Sequence, residues 1–238
     1  MMSAPPLALH IPDGFLSGGV AAATAAVALV AVIYGLRVAD RQLDEARVPL
    51  LGVCAAFVFA AQMLNFPVAG GTSGHFLGAT LAAVLLGPWI ACVVMAVVLA
   101  AQALAFADGG ISALGANVVN MGVLGALLAG LVLQAGQHVL PRTRTAFLGL
   151  VAVVAWLAMM AGAAATSWEL ALSGTAPLGT VLPAMLGVHA LIGVGEAVVT
   201  VTAVGAVLST RPDLIALGGL RAGGQPPALR AAGQGIAS

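Results

Sequence analysis

Residues 9–36, LHIPDGFLSGGVAAATAAVALVAVIYGL, set the pattern of the whole chain. His10 comes first, Pro12 then stiffens the backbone, and Asp13-Gly14 favours a turn. The apolar run that follows is long enough to cross a bilayer, which takes about 20 residues. Similar apolar runs recur as far as residue 209. The sequence therefore predicts an all-α fold, a polytopic membrane helix bundle.

The composition supports a membrane location for most of the chain. Of its 238 residues, 61% are hydrophobic and 7% are charged, whereas a soluble domain has roughly 25% charged residues. So few charges cannot cover a surface that faces water. Cys54 and Cys92 lie inside apolar runs without metal-binding spacing, so we interpret them as small core residues.

The charged residues exclude two classes of function. The formal net charge is zero, which argues against nucleic acid as a partner. All eight basic residues are arginines, and a Walker A loop requires a lysine. We therefore expect no ATP hydrolysis by this chain. If transport is driven by ATP, a separate subunit hydrolyses it.

Seven apolar segments are predicted to form membrane helices. The third segment is too short to span a bilayer comfortably. We expect it either to tilt or to form a partial helix that leads into the turn at Gly87-Pro88. The segments lie near 18–37, 48–65, 75–87, 89–106, 114–137, 146–170 and 181–209.

The arginines predict the orientation. With seven crossings they all fall on one face, which the positive-inside rule makes cytoplasmic. The amino terminus is then outside and the carboxyl terminus cytoplasmic, in the inner (cytoplasmic) membrane of the cell. Residues 1–212 form the membrane-embedded domain, and residues 213–238 form a flexible, Gly- and Pro-rich cytoplasmic tail. The arginines are Arg37, Arg41, Arg47, Arg142, Arg144, Arg211, Arg221 and Arg230.

An ordered set of short motifs resembles the CbiM/NikM family. These are HIPDGFL at 10–16, FP at 66–67 with GGTSGH at 70–75, DGG at 108–110, LGAN at 114–117 and NMG at 120–122. The similarity continues through His189 and Gly195-Glu196 to about Asp213. Members are the substrate-binding membrane components of energy-coupling-factor transporters for cobalt and nickel. The resemblance implies a transport subunit and not an enzyme, with Co(II) or Ni(II) as substrate. It also implies a transmembrane coupling subunit, two ATPase subunits and often a small extra membrane subunit as partners.

His10 and His75 are the candidate metal ligands. Both fall on the predicted outer face, and a histidine at the second position of a chain offers its imidazole together with the terminal amine. Such nitrogen ligands favour tetragonal metals such as Ni(II). The resemblance implies a chain that begins one residue before His10. We therefore expect the backbone nitrogen of Leu9 to be a ligand, with translation starting at position 9 or cleavage after Ala8.

Other polar residues are assigned supporting roles. Asp13, Ser73, Asp108, Asn117 and Asn120 are expected to line the site or to orient its ligands. Asn117 and Asn120 share a helical face. They are expected to hydrogen-bond the amino-terminal segment or a ligand histidine, and hydrogen bonding between helices is an equal alternative.

Three further ionisable residues lie in the last two segments. His189 and Glu196 are candidates for coupling to a partner, because ionisable groups deep in a membrane are costly and usually functional. Glu169 is expected to be solvated.

Two rival functions remain from the sequence. Gly71-Thr72-Ser73-Gly74 matches the Gly-x-Ser-Gly motif of rhomboid proteases, with His189 as a possible base. Depth argues against this rival, since Ser73 is expected at the surface and His189 well inside its helix. The other rival is a proton-coupled metal carrier that uses His189 and Glu196.

Overall fold

A computed structural model describes residues 10–64, 66–68 and 72–217, without the side chains of residues 46, 66–68, 72 and 73. Leu9 and residues 218–238 of the expected tail lie outside this part of the chain. Seven helices follow one another along it. They are α1 (Gly18–Gln42), α2 (Val48–Gln62), α3 (Ala79–Leu86), α4 (Pro88–Ala105), α5 (Leu114–Val139), α6 (Arg144–Leu172) and α7 (Leu178–Thr210).

The predicted helical membrane fold is confirmed, with one addition. Five of the described helices (α1, α4, α5, α6 and α7) are long and apolar enough to cross a membrane, and α2 is a shorter apolar helix. The addition is a two-stranded antiparallel hairpin, β1 (Phe66–Val68) and β2 (Thr72–Gly74). The hairpin leads directly to His75.

The third apolar segment forms a partial helix. All eight residues of α3 are buried, so this helix lies inside the bundle. Gly78 and Gly87 flank it with φ values of 68° and 85°, which glycine adopts without steric cost. Pro88 then starts α4 in the first helical turn, where its missing N–H is tolerated. The prediction of a partial helix that leads into a turn at Gly87-Pro88 is therefore confirmed.

The end of the bundle that contains His10, here called the amino-terminal end, is formed by three loops. The backbone nitrogen of Gly110 donates to the carbonyl of Ile11 at 2.9 Å. The Thr175 hydroxyl, in the loop between α6 and α7, donates to the carbonyl of Phe15. Residues 10–16 are thus held across the ends of α4 to α7.

The opposite end is closed by residues that follow α7. The backbone nitrogens of Ala216 and Leu217 both donate to the carbonyl of Val84 on α3, each at 3.0 Å. Ile215 and Leu217 are buried in the main core. The packed bundle therefore extends past the expected domain boundary at residue 212.

α5 departs from regular α-helical geometry. Residues Val118–Leu128 have π-helical hydrogen bonding, which is rare and occurs often at functional sites. Asn117 immediately precedes this stretch and Asn120 lies within it. Because each π turn is wider than an α turn, the 3.6-residue periodicity does not predict which α5 side chains share a face.

Candidate metal site

His10 and His75 meet at the amino-terminal end. Their ring centroids are 4.4 Å apart, with the planes tilted by 54°. Both side chains are buried, at 4% and 1% exposure. The fold thus brings into contact two histidines that are separated in the sequence by α1, α2 and the hairpin.

The hydrogen bonds of His75 fix which nitrogen can bind a ligand. Its Nδ1 lies 2.8 Å from the carbonyl oxygen of Phe76. A carbonyl only accepts, so Nδ1 carries the hydrogen and Nε2 has the lone pair. Within the described chain, Nε2 has no hydrogen-bond partner. A buried imidazole with an unused lone pair is a nitrogen ligand ready for a metal.

Asp108 lies next to His10. Its Oδ1 is 3.0 Å from His10 Nδ1. Burial raises the pKa of Asp108, but the close contact with His10 outweighs burial and holds this pKa below its usual value. The carboxylate is therefore ionised at neutral pH and orients the His10 ring. Both ring nitrogens of His10 are buried without a hydrogen-bond partner among the described residues.

Asn117 and Asp13 fasten the segment that carries His10. Asn117 Oδ1 accepts from the backbone nitrogen of Ile11 at 2.8 Å, and Asn117 Nδ2 donates to the Ile11 carbonyl at 3.2 Å. Asp13 Oδ1 accepts from the backbone nitrogen and hydroxyl of Ser112, at 2.7 and 2.5 Å. These bonds from Ser112 lower the pKa of Asp13.

Gly110 explains why the DGG motif needs glycine. A Cβ at this position would lie 2.3 Å from the backbone nitrogen of Asp13 and 2.6 Å from the carbonyl carbon of Pro12. Such distances are shorter than van der Waals contact and involve backbone atoms that cannot rotate away. Only glycine lets residues 11–13 lie against this loop.

Asn120 faces a different partner from Asn117. Its Nδ2 donates to Glu169 Oε2 at 2.7 Å and to Thr166 Oγ1 at 3.1 Å, so it links α5 to α6. Glu169 is 8% exposed, and the expectation that it is solvated is wrong. A buried carboxylate needs a donor, and Asn120 supplies one from the neighbouring helix.

The loop after His75 is held from two helices. Glu196 on α7 accepts from the backbone nitrogens of Leu77 (2.9 Å) and Gly78 (2.8 Å). These groups precede the first turn of α3, where a carboxylate also complements the helix dipole. Gln62, the last residue of α2, donates to the Leu77 carbonyl at 2.8 Å. Glu196 is therefore paired with backbone groups that position His75.

His189 is fully buried on α7, close to the hairpin. A Cβ built on Gly74 would lie 4.0 Å from His189 Nε2 and 1.9 Å from Ile192 Cδ1. The expectation that residue 73 and His189 lie at different depths is therefore wrong, because the hairpin reaches His189. The side chain of Ser73 itself lies outside the described part of the chain.

Sequence reasoning missed several residues that position the site. Ser112 and Gln62 gave no signal, because a serine in a loop and a glutamine at a helix end are common. The two backbone bonds of Glu196 were also not foreseeable, since backbone amides leave no trace in the sequence.

The candidate ligands do not form a three-residue cluster. Across the described residues, no group of three or more His, Cys, Asp or Glu side chains is arranged to hold one metal ion. Two imidazoles alone leave a four-coordinate metal incomplete.

The family profile described as CbiM, cobalt uptake substrate-specific transmembrane region, matches residues 10–214. The chain belongs to the CbiM family. The match begins at the proposed ligand His10 and ends just after α7, so it includes every element that forms the site. All the helices described above are thus part of the CbiM region.

Relatives of this CbiM chain include proteins named for nickel transport. It is 38% identical over 210 residues to a protein of Archaeoglobus fulgidus provisionally named as a fused nickel transport protein, NikMN; the match covers 87% of this chain and 68% of the relative. It is 36% identical over 222 residues to the fused nickel transport protein NikMN of Rhodobacter capsulatus, covering 87% and 64%. This CbiM chain thus spans under two thirds of the latter protein.

A solved structure has the same fold as this CbiM chain. It is described as a truncated transition metal transporter, with 32% sequence identity and a TM-score of 0.76. The match covers 84% of this chain and 98% of that one. The similarity therefore extends over nearly the whole of the other chain.

Proposed function

We propose that this protein captures Co(II) or Ni(II) for uptake into the cell. The observation that carries the proposal is the contact between the buried imidazoles of His10 and His75. Both ring nitrogens of His10 and the Nε2 of His75 have no hydrogen-bond partner in the described structure. An unpaired polar atom in a buried site is costly. A bound metal ion would remove that cost. The family and its named relatives support cobalt or nickel as the ion.

The coordination is completed by the chain before His10. The backbone nitrogen of residue 9 and the amide of His10 are the nearest additional nitrogens along the chain. Together with His10 Nδ1 and His75 Nε2 they give four nitrogen ligands, a set that suits Ni(II) and also accepts Co(II). This coordination requires residue 9 to be the mature amino terminus, because a terminal amine binds without losing a peptide proton, and only the His10 amide then has to lose one.

Asp13, Asp108 and Asn117 complete the proposed site as lining residues. Asp108 orients His10, while Asp13 and Asn117 hold the segment that carries it. Asn120 acts one step further away, through α6. Such outer contacts commonly change metal affinity by about 10–100-fold when removed.

Transport requires partners that this chain does not supply. We place it in the inner membrane with the amino-terminal end outside. A transmembrane coupling subunit and two ATPase subunits drive release of the metal inward. A small extra membrane subunit often accompanies them. The absence of lysine supports a separate ATPase, since no phosphate-binding loop can form.

Equilibrium binding of Ni(II) and Co(II) to the purified protein tests the proposal. We expect His75→Ala to weaken binding by more than about 100-fold, which exceeds the range for outer contacts. His138→Ala is the matched control, because His138 is exposed near the end of α5. Equal affinity of the two variants would contradict the proposal.

A protease remains the second candidate, because Gly74 brings the hairpin against His189. Covalent labelling by a fluorophosphonate distinguishes the two functions. A transport protein remains unlabelled, whereas labelling that is lost in Ser73→Ala would favour the protease.

A further inference from the structure

His189 has a buried nitrogen that the capture site does not use. Its Nδ1 lies 2.7 Å from the carbonyl oxygen of Met185, one helical turn earlier. That carbonyl accepts the Nδ1 hydrogen, so the lone pair of His189 is on Nε2. Nε2 is buried and has no hydrogen-bond partner in the part of the chain that the structure describes.

A purely structural role does not explain this arrangement. The Met185 bond satisfies Nδ1, but burying Nε2 without a partner carries a desolvation cost. An apolar side chain of similar size would fill the space without that cost. His189 therefore has the features of a nitrogen ligand.

The position of His189 relates it to His75. Its Nε2 points to the hairpin residue Gly74, which immediately precedes His75. His75 itself contacts His10, and the residue before it, Gly74, lies against His189. His75 is thus next to His10 in space and next in sequence to the residue that faces His189 on α7.

The three imidazoles do not surround one ion. The described residues contain no three-ligand group of His, Cys, Asp or Glu side chains. A metal position that uses His189 is therefore separate from one that uses His10. His75 contacts His10 and follows Gly74, so it is the residue that could serve both positions.

We infer that His189 is an inner metal ligand, so that a Co(II) or Ni(II) ion leaving His10 passes to a position between His75 and His189. This inference rests on the proposed function. Nitrogen ligands of the same chemical type on both sides allow the ion to exchange one imidazole for another without becoming bare in the membrane. Glu196 is not the next ligand, because its oxygens already accept from Leu77 and Gly78.

The test isolates the inner position by removing the outer one. In purified His10→Ala protein, we expect Ni(II) or Co(II) to bind weakly through His75 and His189. Adding His189→Asn should weaken this residual binding by about tenfold or more. The asparagine Nδ2 can still donate to Met185, so this variant removes Nε2 while retaining the structural bond.

A second measurement counts the ligands directly. X-ray absorption of Co(II) bound to His10→Ala should show two imidazoles, and addition of His189→Asn should reduce the count to one. If His189→Asn changes neither the residual affinity nor this count, the inference is overturned. If the unaltered protein binds neither Co(II) nor Ni(II), the proposed function fails instead, so the two failures are distinguishable.

Discussion

Asn117 forms two hydrogen bonds with the backbone of Ile11, one as acceptor and one as donor. This pairing imitates the edge of a β-ladder and leaves neither backbone group of Ile11 unsatisfied. It holds the residue next to His10 against the end of α5. The position of the proposed ligand therefore depends on a side chain more than a hundred residues away in the sequence.

We expect Asn117→Leu to weaken Ni(II) binding by about 10–100-fold, the range for residues that orient a ligand. Leucine keeps the volume of the side chain but can neither donate to nor accept from Ile11. Asn117→Asp keeps the acceptor and loses the donor, so its affinity for Ni(II) should lie between that of the unaltered protein and that of Asn117→Leu. Calorimetric titration of the purified variants measures the effect. An unchanged affinity for Asn117→Leu would show that the amino-terminal segment is held by other contacts.

Glu196→Gln should weaken metal binding as well as uptake. Glutamine has one acceptor oxygen where Glu196 uses two, so the backbone N–H of Leu77 or Gly78 loses its partner at a cost of about 1–3 kcal/mol. Thermal unfolding and Ni(II) affinity measure this effect.

Thr200→Val is the control for Glu196→Gln. Thr200 only donates to Glu196 Oε1 at 3.4 Å, so its loss leaves both backbone bonds in place. If Glu196→Gln bound metal normally but failed in uptake, Glu196 would act in coupling and not in positioning the His75 loop.

Gly74→Ala should displace the loop that carries His75. The added methyl carbon would lie 1.9 Å from Ile192 Cδ1. Adding Ile192→Val removes that carbon, so the double variant should recover metal affinity. Gly149→Ala on α6 is the neutral control, because a Cβ there meets nothing within 4 Å. Failure of Ile192→Val to restore binding would place the constraint elsewhere in the hairpin.

The proposed orientation is tested by thiol labelling in intact cells. We expect a cysteine at Ile111, which is 60% exposed at the amino-terminal end, to react with an impermeant reagent. A cysteine at Thr145, exposed at the start of α6, should react only after the cells are opened. The native Cys54 and Cys92 are buried and should give little background. The reverse pattern would invert the topology.

Intact-mass analysis of the natively expressed protein tests the proposed amino terminus. We expect a mature chain that starts at position 9, either as an initiating methionine or as leucine after cleavage. A chain that retains Met1 and still binds Ni(II) at full affinity would exclude the residue-9 nitrogen as a ligand.

The sequence predicted the helices and the pairing of His10 with His75, but not the depth of the site. Long apolar runs in the sequence directly indicate membrane helices. Gly87-Pro88 marks the end of α3, because the backbone preferences of these two residues do not continue a helix. Depth depends on tertiary contacts, so the sequence predicted neither the burial of Glu169 nor the approach of the hairpin to His189. The π-helical stretch before and around Asn120 also has no signature in the 3.6-residue pattern.

The bonds of Glu196 to Leu77 and Gly78 join residues more than a hundred positions apart, with a consequence for how the protein is made. The ribosome completes α3 long before it synthesises α7. Until α7 enters the bilayer, these two amides lack their acceptor, and the loop after His75 has its bond to Gln62 but not those to Glu196. The nascent chain thus completes its proposed capture site only at the end of synthesis, and a chain truncated before Glu196 would reach the membrane without these two bonds.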